Sequence, residues 1–213
     1  ESEQRVVASS SIDLTGKLWK VKDKQNEKDG VDLELGHVLR GHQARLCKVA
    51  FHPMGDYVGT TSFDHSWRFW SVETGQELLL QDGHWKETYG IGFHHDGSLC
   101  STTDFGSVVQ CWDLRSGRSI VHFLGHAKRV LCTQFHPNGF QLLSSGDDGT
   151  IKIWDLRQRK LHASIPAHSK LVSQICVHDE IIVSSSFDGT VKFWSCRDWK
   201  LLASLKGHEG KVM

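Results

Sequence analysis

Two residue types in this chain keep one clock. Trp70, Trp112 and Trp154 stand 42 residues apart and Trp194 follows after 40, while His42, His84, His126, His168 and His208 repeat the same 42, 42, 42 and 40. A period of that length calls for a supersecondary unit that cannot bury its apolar face alone and must stack on copies of itself. One period reads as four short strands. An apolar run from Arg129 to Phe135 meets a turn at 136–139, a second run spans Phe140 to Ser145, and a turn at 147–149 leads to a third run, Thr150 to Trp154. An edge strand from Lys160 to Ile165 completes the unit. Nothing reads as a long helix, and 20 glycines suit many tight turns. The runs show little polar alternation, as expected of sheets packed on both faces.

The clock has further marks: Gly41-His42, Gly83-His84, Gly125-His126 and Gly207-His208, with Ala167-His168 as a mild departure, and the Trp-Asp pairs 112–113 and 154–155. These identify the WD repeat, in which four antiparallel strands form one blade of a propeller. The expected fold is therefore all-β, a WD-repeat β-propeller, with repeats near 1–40, 41–82, 83–124, 125–166 and 167–206 and another beginning at 207–213. Four whole repeats and two fragments do not close a ring without exposing sheet faces and edges. The expectation is a chain cut from a longer one, of about seven blades, and a piece that folds poorly alone. Trp19 and His42 are 23 residues apart against 14 in each later repeat, and the surplus, "KVKDKQNEKDGVDLELG" (20–36), reads as an extended surface loop.

In WD repeats as a family the corner His, a Ser or Thr, the turn Asp and the Trp form a hydrogen-bonded tetrad. Three sets match here without adjustment: His42, Thr60, Asp64 and Trp70; His126, Ser144, Asp148 and Trp154; His168, Ser184, Asp188 and Trp194. A buried carboxylate and indole N–H are tolerated only when partnered. The repeat with His84, Thr102 and Trp112 departs, because Gly106 stands where the Asp belongs and the nearest acid, Asp104, comes two residues early. Either the turn is reshaped so that Asp104 still reaches His84, or this blade lacks its tetrad, and the second is favoured. The first unit shows Ser9, Asp13 and Trp19, with its His expected before residue 1.

The Ser, His and Asp of each tetrad resemble a nucleophilic triad, but three-fold recurrence with an indole cap makes them structural. His52, His94, His136 and His178 keep the period too, one on the equivalent loop of each blade, so they diverge instead of forming a metal site. There is no phosphate-binding Gly loop and no H-E-x-x-H. The reading is thus of a non-enzyme with no cofactor, no metal and no small-molecule substrate. The 25 basic and 25 acidic residues cancel, so no global field draws the chain to nucleic acid or membrane, and no apolar run of 18 would cross one. Six scattered cysteines without a C-x-x-C suit a reducing compartment.

What remains for such a fold is to display surface. Ile12, Phe63 and Phe187, each just before a turn Asp, are candidate partner anchors, as are Arg45, Trp85, Lys86, Arg129 and Lys170 beside the Gly-His corners. Arg157, Arg159 and Lys160 form a small basic cluster on the opposite face, suited to phosphate.

Several stretches, among them "GTTSFDHSWRFW" (59–70), "FHHDGSLCSTTD" (93–104) and "WDLRQRKLHASIPAH" (154–168), make the chain similar to the WD-repeat protein of the U4/U6 small nuclear ribonucleoprotein, the pre-mRNA processing factor four family. The long stretch at 22–36 is not typical of it. The resemblance implies a nuclear scaffold of the U4/U6 and U4/U6.U5 tri-snRNP. Its partners would be companion U4/U6 and other tri-snRNP proteins, with U4/U6 snRNA nearby or in contact. Two rivals stand beside it. One is a substrate receptor of a cullin-RING ubiquitin ligase, suggested by the W-D-L-R runs at 112–115 and 154–157. The other is a propeller that binds RNA directly.

Overall fold

The computed structural model describes residues 5–23 and 31–213, which form five antiparallel sheets. They are β1 (Val6–Ser10), β2 (Thr15–Asp23) and β3 (Val31–Arg40); β4 (Leu46–Phe51), β5 (Tyr57–Ser62), β6 (Ser66–Ser71) and β7 (Glu77–Asp82); β8 (Thr88–Phe93), β9 (Leu99–Asp104), β10 (Val108–Asp113) and β11 (Arg118–Leu124); β12 (Val130–Phe135), β13 (Gln141–Gly146), β14 (Thr150–Asp155) and β15 (Lys160–Pro166); and β16 (Val172–His178), β17 (Ile181–Ser186), β18 (Thr190–Ser195) and β19 (Leu201–Lys206). Within each sheet the strands pair in chain order, as short connections dictate. The first strands β4, β8, β12 and β16 neighbour one another in succession, so each sheet is a blade with its first strand innermost; the three-stranded sheet begins at a second strand, since Ser9 of β1 lies opposite Lys17 as Thr60 of β5 lies opposite Arg68. Among the described residues there is no helix. This is the architecture of a WD-repeat β-propeller.

Apolar contact runs between blades. Val58 and Trp70 meet Leu18 and Leu39 of the first blade, and Trp67 meets Ile91, Cys100 and Trp112. Trp154 and Leu142 meet Val109, Cys111 and Phe123, while Ile151, Ile153 and Leu143 meet Ile175, Ile182 and Trp194. Hydroxyls add rungs across the same seams: Thr61 donates to the Tyr89 carbonyl at 2.6 Å and Thr103 to that of Val130 at 3.1 Å. Gly146 is fixed by close approach, since a Cβ there would stand 2.0 Å from the Arg129 carbonyl oxygen.

In all five blades the register between the strand of the tetrad tryptophan and the outermost strand shifts at that tryptophan, after Leu18, Phe69, Cys111, Ile153 and Phe193. A bulge twists its strand and re-aims the side chain, and here it falls where the indole must turn toward the Ser or Thr of the adjacent strand.

The stretch read as a surface loop is a correction. Residues 20–23 and 31–36 continue β2 and β3, with Lys20 opposite Glu34, Val21 opposite Leu33 and Lys22 opposite Asp32. The hairpin is held by its ladder and by an exposed ion pair of 2.5 Å between Lys22 and Glu34, not by burial. Residues 24–30 of that stretch lie outside the described residues.

Two residues are missing from the turn between the first two strands of the fifth blade. The paired residues Val177 and Ile182 enclose four residues, where Phe135 and Leu142 of the fourth blade enclose six. That shortening accounts for the 40-residue step.

Candidate functional site: the tetrad face and its rim

The turn between second and third strands is three residues long in the four-stranded blades and ends on a positive φ, at His65 (70°), Ser107 (72°), Gly149 (72°) and Gly189 (83°), and the equivalent turn of the first blade ends the same way at Leu14 (70°). This repeated turn aims one carboxylate at the corner histidine. In the second blade the Trp70 Nε1–H donates to Thr60 Oγ1 at 2.9 Å, Thr60 Oγ1 lies 2.8 Å from His42 Nε2, and His42 Nδ1 lies 2.8 Å from Asp64 Oδ2. The fourth blade gives 2.8, 2.7 and 2.8 Å through Trp154, Ser144, His126 and Asp148. The fifth gives 2.9, 2.8 and 2.9 Å through Trp194, Ser184, His168 and Asp188. In the first, the Trp19 Nε1–H donates to Ser9 Oγ at 3.0 Å and Asp13 accepts from the Thr15 amide at 3.0 Å. One proton assignment satisfies each relay: indole N–H to hydroxyl oxygen, hydroxyl O–H to Nε2, and Nδ1–H to an ionised Asp. The hydroxyl is consumed on both sides and the imidazole is enclosed.

The third blade overturns the expectation of a missing tetrad. His84 Nδ1 lies 3.0 Å from Asp104 Oδ2, His84 Nε2 lies 2.7 Å from Thr102 Oγ1, and the Trp112 Nε1–H donates to that oxygen at 2.7 Å. The turn is not reshaped either. Asp104 ends β9, where the other blades have Ser62, Gly146 and Ser186, and its carboxylate fills the place vacated by the missing side chain of Gly106. A Cβ on Gly106 would lie 3.3 and 3.5 Å from the two carboxylate oxygens. Asp104 Oδ1 also accepts from the Val108 amide at 2.9 Å, the bond that the Thr150 amide makes to Asp148 at 3.0 Å.

Burial alone would raise the carboxyl pKa values of Asp64, Asp148 and Asp188. Hydrogen bonds outweigh it and hold all three well below the ordinary range, with His42, Ser66 and the Gln43 amide acting on Asp64, His126 and Thr150 on Asp148, and Thr190 and His168 on Asp188. The His168 imidazole is lowered from 6.5 by burial, against a smaller opposing effect of Asp188, and His136 is lowered by burial too. In each of these groups the unfolded chain takes up a proton first, so stability falls with falling pH. The loss begins below about pH 6.5 through the histidines and steepens below about pH 4 through the carboxylates. Urea midpoints measured across this range are expected to decline monotonically on acidification, and a rise between neutrality and pH 5 would contradict the assignment.

Outside the tetrads, His52 Nε2 bonds the Gly97 carbonyl at 2.9 Å and His94 Nε2 that of Gly139 at 3.0 Å. Each ties its blade to the turn of the next, a role that sequence reading missed because a backbone acceptor leaves no signature. The fifth blade's shortened turn has no such glycine. His136 Nε2 is buried there without a partner among the described residues, and the Trp199 ring covers it edge-on at 6.2 Å. His178 is exposed, 3.1 Å from Asp179. Among the described residues no group of three or more His, Cys, Asp or Glu is placed to hold a metal ion.

The candidate anchors divide. Trp85 and Ile12 stand out in solvent, 89% and 77% exposed. Phe63 and Phe187 are half-buried, the first under the Arg45 guanidinium at 3.9 Å and the second under the Lys211 ammonium at 4.8 Å. Lys86 and Lys170 are exposed. Arg129 is exposed but engaged, bonding Asp147 at 2.9 Å with its guanidinium 5.2 Å from the Phe105 ring centre. Phe105, which sequence reading passed over, belongs to this group. It stacks on Tyr89 at 5.4 Å and meets the edge of Phe63 at 5.2 Å. Its signal is the position shared with Phe63 and Phe187, hidden because Gly106 and not an Asp follows it. On the opposite face, Arg157 packs on the Phe140 ring at 3.9 Å and pairs with Asp155 at 3.5 Å, leaving Arg159 and Lys160 as the outward charges. The Asp113 and Asp155 carboxylates of the two W-D-L-R runs cap their own turns through the Arg115 and Arg157 amides at 2.9 and 2.8 Å.

The family model "WD domain, G-beta repeat" matches residues 33–71, 117–155 and 159–195, more than half of the chain. The chain belongs to the WD-repeat family. The unmatched span between the first two matched segments contains the third blade's turn with the early Asp104. Among individual proteins, the chain is 47% identical to the U4/U6 small nuclear ribonucleoprotein PRP4 of Saccharomyces cerevisiae over 58 residues, 27% of this chain and 12% of that protein. It is 34% identical to the Notchless protein homolog of Arabidopsis thaliana over 84 residues, 39% of this chain and 16% of that protein. It is 28% identical to the dynein assembly factor with WD repeat domains 1 of Xenopus laevis over 89 residues, 42% of this chain and 21% of that protein. WD repeats are in general protein-interaction scaffolds without catalysis, and a consumed hydroxyl in every tetrad suits that role.

Proposed function

We propose that this WD-repeat chain is part of a nuclear, non-catalytic scaffold of the U4/U6 and U4/U6.U5 tri-snRNP that holds partner splicing proteins and lies near U4/U6 snRNA during pre-mRNA splicing. The observation that carries this reading is the 47% identity over 58 residues to a U4/U6 small nuclear ribonucleoprotein. The other WD relatives match longer stretches at lower identity and their names point to unrelated roles. The rim geometry supports protein contact first, because Trp85 and Ile12 are large, exposed and set on rigid turns. The ubiquitin-ligase alternative rests on the W-D-L-R runs alone, whose carboxylates cap their own turns. Purifying the tagged protein from nuclear extract and sequencing the associated RNA is expected to return U4 and U6 RNA together with their proteins. A preparation carrying a ligase adaptor and neither RNA would overturn the proposal.

A further inference from the structure

On the face opposite the tetrads, the turn between third and fourth strands places a residue in the left-handed region five positions after each tetrad tryptophan: Gly75 (69°), Gly117 (65°), Arg159 (54°) and Trp199 (58°). What fills the space between that turn and the outermost strand of the preceding blade differs from seam to seam. Between the first and second blades the His37 ring closes over Gly75, with Nε2 2.8 Å from the Glu73 carbonyl oxygen. Between the fourth and fifth, Trp199 fills it. Its ring meets His136 and His162 edge-on at 6.2 and 6.1 Å and packs on the core of that seam.

His162 and Ala163 hold the places of Leu78 and Leu79 in the second blade. There, between the second and third blades, Gly117 has no side chain to send. A cleft of about 370 Å³ opens between Tyr57, Phe69, Leu78 and Leu79 on one side and Leu114 and Arg115 on the other. Leu78 is left 52% exposed. The volume lies at the small end of the roughly 300–1,000 Å³ usual for ligand sites, room for one ring and little more.

The same seam lacks a charge partner. Arg157 pairs with Asp155 at 3.5 Å and Arg197 with Glu180 at 2.5 Å. Their counterpart Arg115 is exposed, and its guanidinium makes no hydrogen bond or ion pair among the described residues. Asp113 is spent on its own turn, accepting from the Arg115 amide and the Ser116 hydroxyl, both at 2.9 Å. The fifth blade thus supplies a ring and a carboxylate from its own chain, and the third supplies neither.

We propose that this cleft receives an aromatic side chain of a partner protein, with a neighbouring carboxylate of that partner on Arg115. The partner completes between the second and third blades what Trp199 and Glu180 complete between the fourth and fifth. The proposal rests on the scaffold reading above and specifies a partner's chemistry. A buried ring is the usual anchor of a protein interface, and a carboxylate on Arg fixes its orientation. A nucleobase is held by open ring faces beside several cations. Here the walls are largely aliphatic, the cation is single, and Tyr57 and Phe69 are half-buried and stacked on each other at 5.2 Å.

Random peptides displayed on phage, selected on the full protein and depleted on its L78S/R115A variant, test it. Both positions are exposed, so the variant should keep the parent's unfolding midpoint. Surviving sequences are expected to share a Phe, Tyr or Trp with an Asp or Glu within a few residues. Such a peptide, synthesised, should bind the variant about tenfold more weakly, and lose as much when its ring is replaced by alanine. Gly117→Trp, which copies Trp199 at nearly the same φ, should block the peptide from within the chain; should it not fold, the comparison with L78S/R115A decides alone. No surviving sequence, survivors without a ring or an acid, or full binding to a folded G117W variant would overturn the site even if U4 and U6 RNA co-purify. Binding as described without those RNAs would leave the site standing and remove the splicing assignment. A random RNA pool that yields tighter binders, lost in L78S/R115A, would replace the side chain with a nucleobase.

Discussion

Replacing Trp154 with alanine is expected to lower the free energy of unfolding by about 3–5 kcal/mol. The side chain is 1% exposed, stacked on Phe123 at 4.9 Å and 22°, and packed with Val109, Cys111, Val130 and Leu142 at the seam between third and fourth blades. Its removal opens a cavity where the blades meet and leaves Ser144 Oγ without its indole donor. Trp154→Phe separates the two contributions: it keeps most of the ring and loses the N–H, at an expected cost of about 1–3 kcal/mol. Against a usual total of about 5–15 kcal/mol, the alanine variant would be marginal and the phenylalanine variant folded. Urea unfolding of the full protein measures both. A phenylalanine variant as stable as the parent would mean that the indole bond contributes nothing and that packing alone holds the seam.

The blades were legible because each must solve the same burial problem, so Trp and His recur at the spacing of the solution. The tetrads at Asp64, Asp148 and Asp188 were legible because their members sit at fixed offsets from Trp. Where the physics left no offset, the sequence misled. The hairpin beyond Trp19 looks like a loop because it extends past the neighbouring blade. Leu33 and Leu35 remain exposed and Lys22 pairs with Glu34 in solvent, so neither face needs an apolar run. The straps from His52 and His94 end on backbone carbonyls, which every residue possesses. The rim was half legible. Phe63 and Phe187 were visible as residues before an Asp, but their cation caps and the Phe105–Tyr89 stack arise only when consecutive blades are placed side by side.

The second large effect concerns the third blade. Asp104 is 1% exposed, and serine in its place would leave the His84 Nδ1–H and the Val108 amide without acceptors, at a cost of about 1–3 kcal/mol. Gly106→Asp alone should also destabilise, because the new side chain starts 3.3 Å from an Asp104 carboxylate oxygen and sets two like charges in one buried place. Together the two changes rebuild the arrangement of the neighbours, Ser62 with Asp64 and Ser186 with Asp188. Gly106 is not among the positive-φ glycines, so an Asp fits its backbone.

The urea-unfolding cycle of D104S, G106D and the double variant therefore tests most directly whether one carboxylate in one place locks each blade to its corner. Recovery in the double variant of most of the stability lost in either single variant is predicted, with a coupling inside the roughly 0.5–3 kcal/mol seen for interacting sites. Losses that simply add, leaving the double variant the least stable of the three, would contradict it.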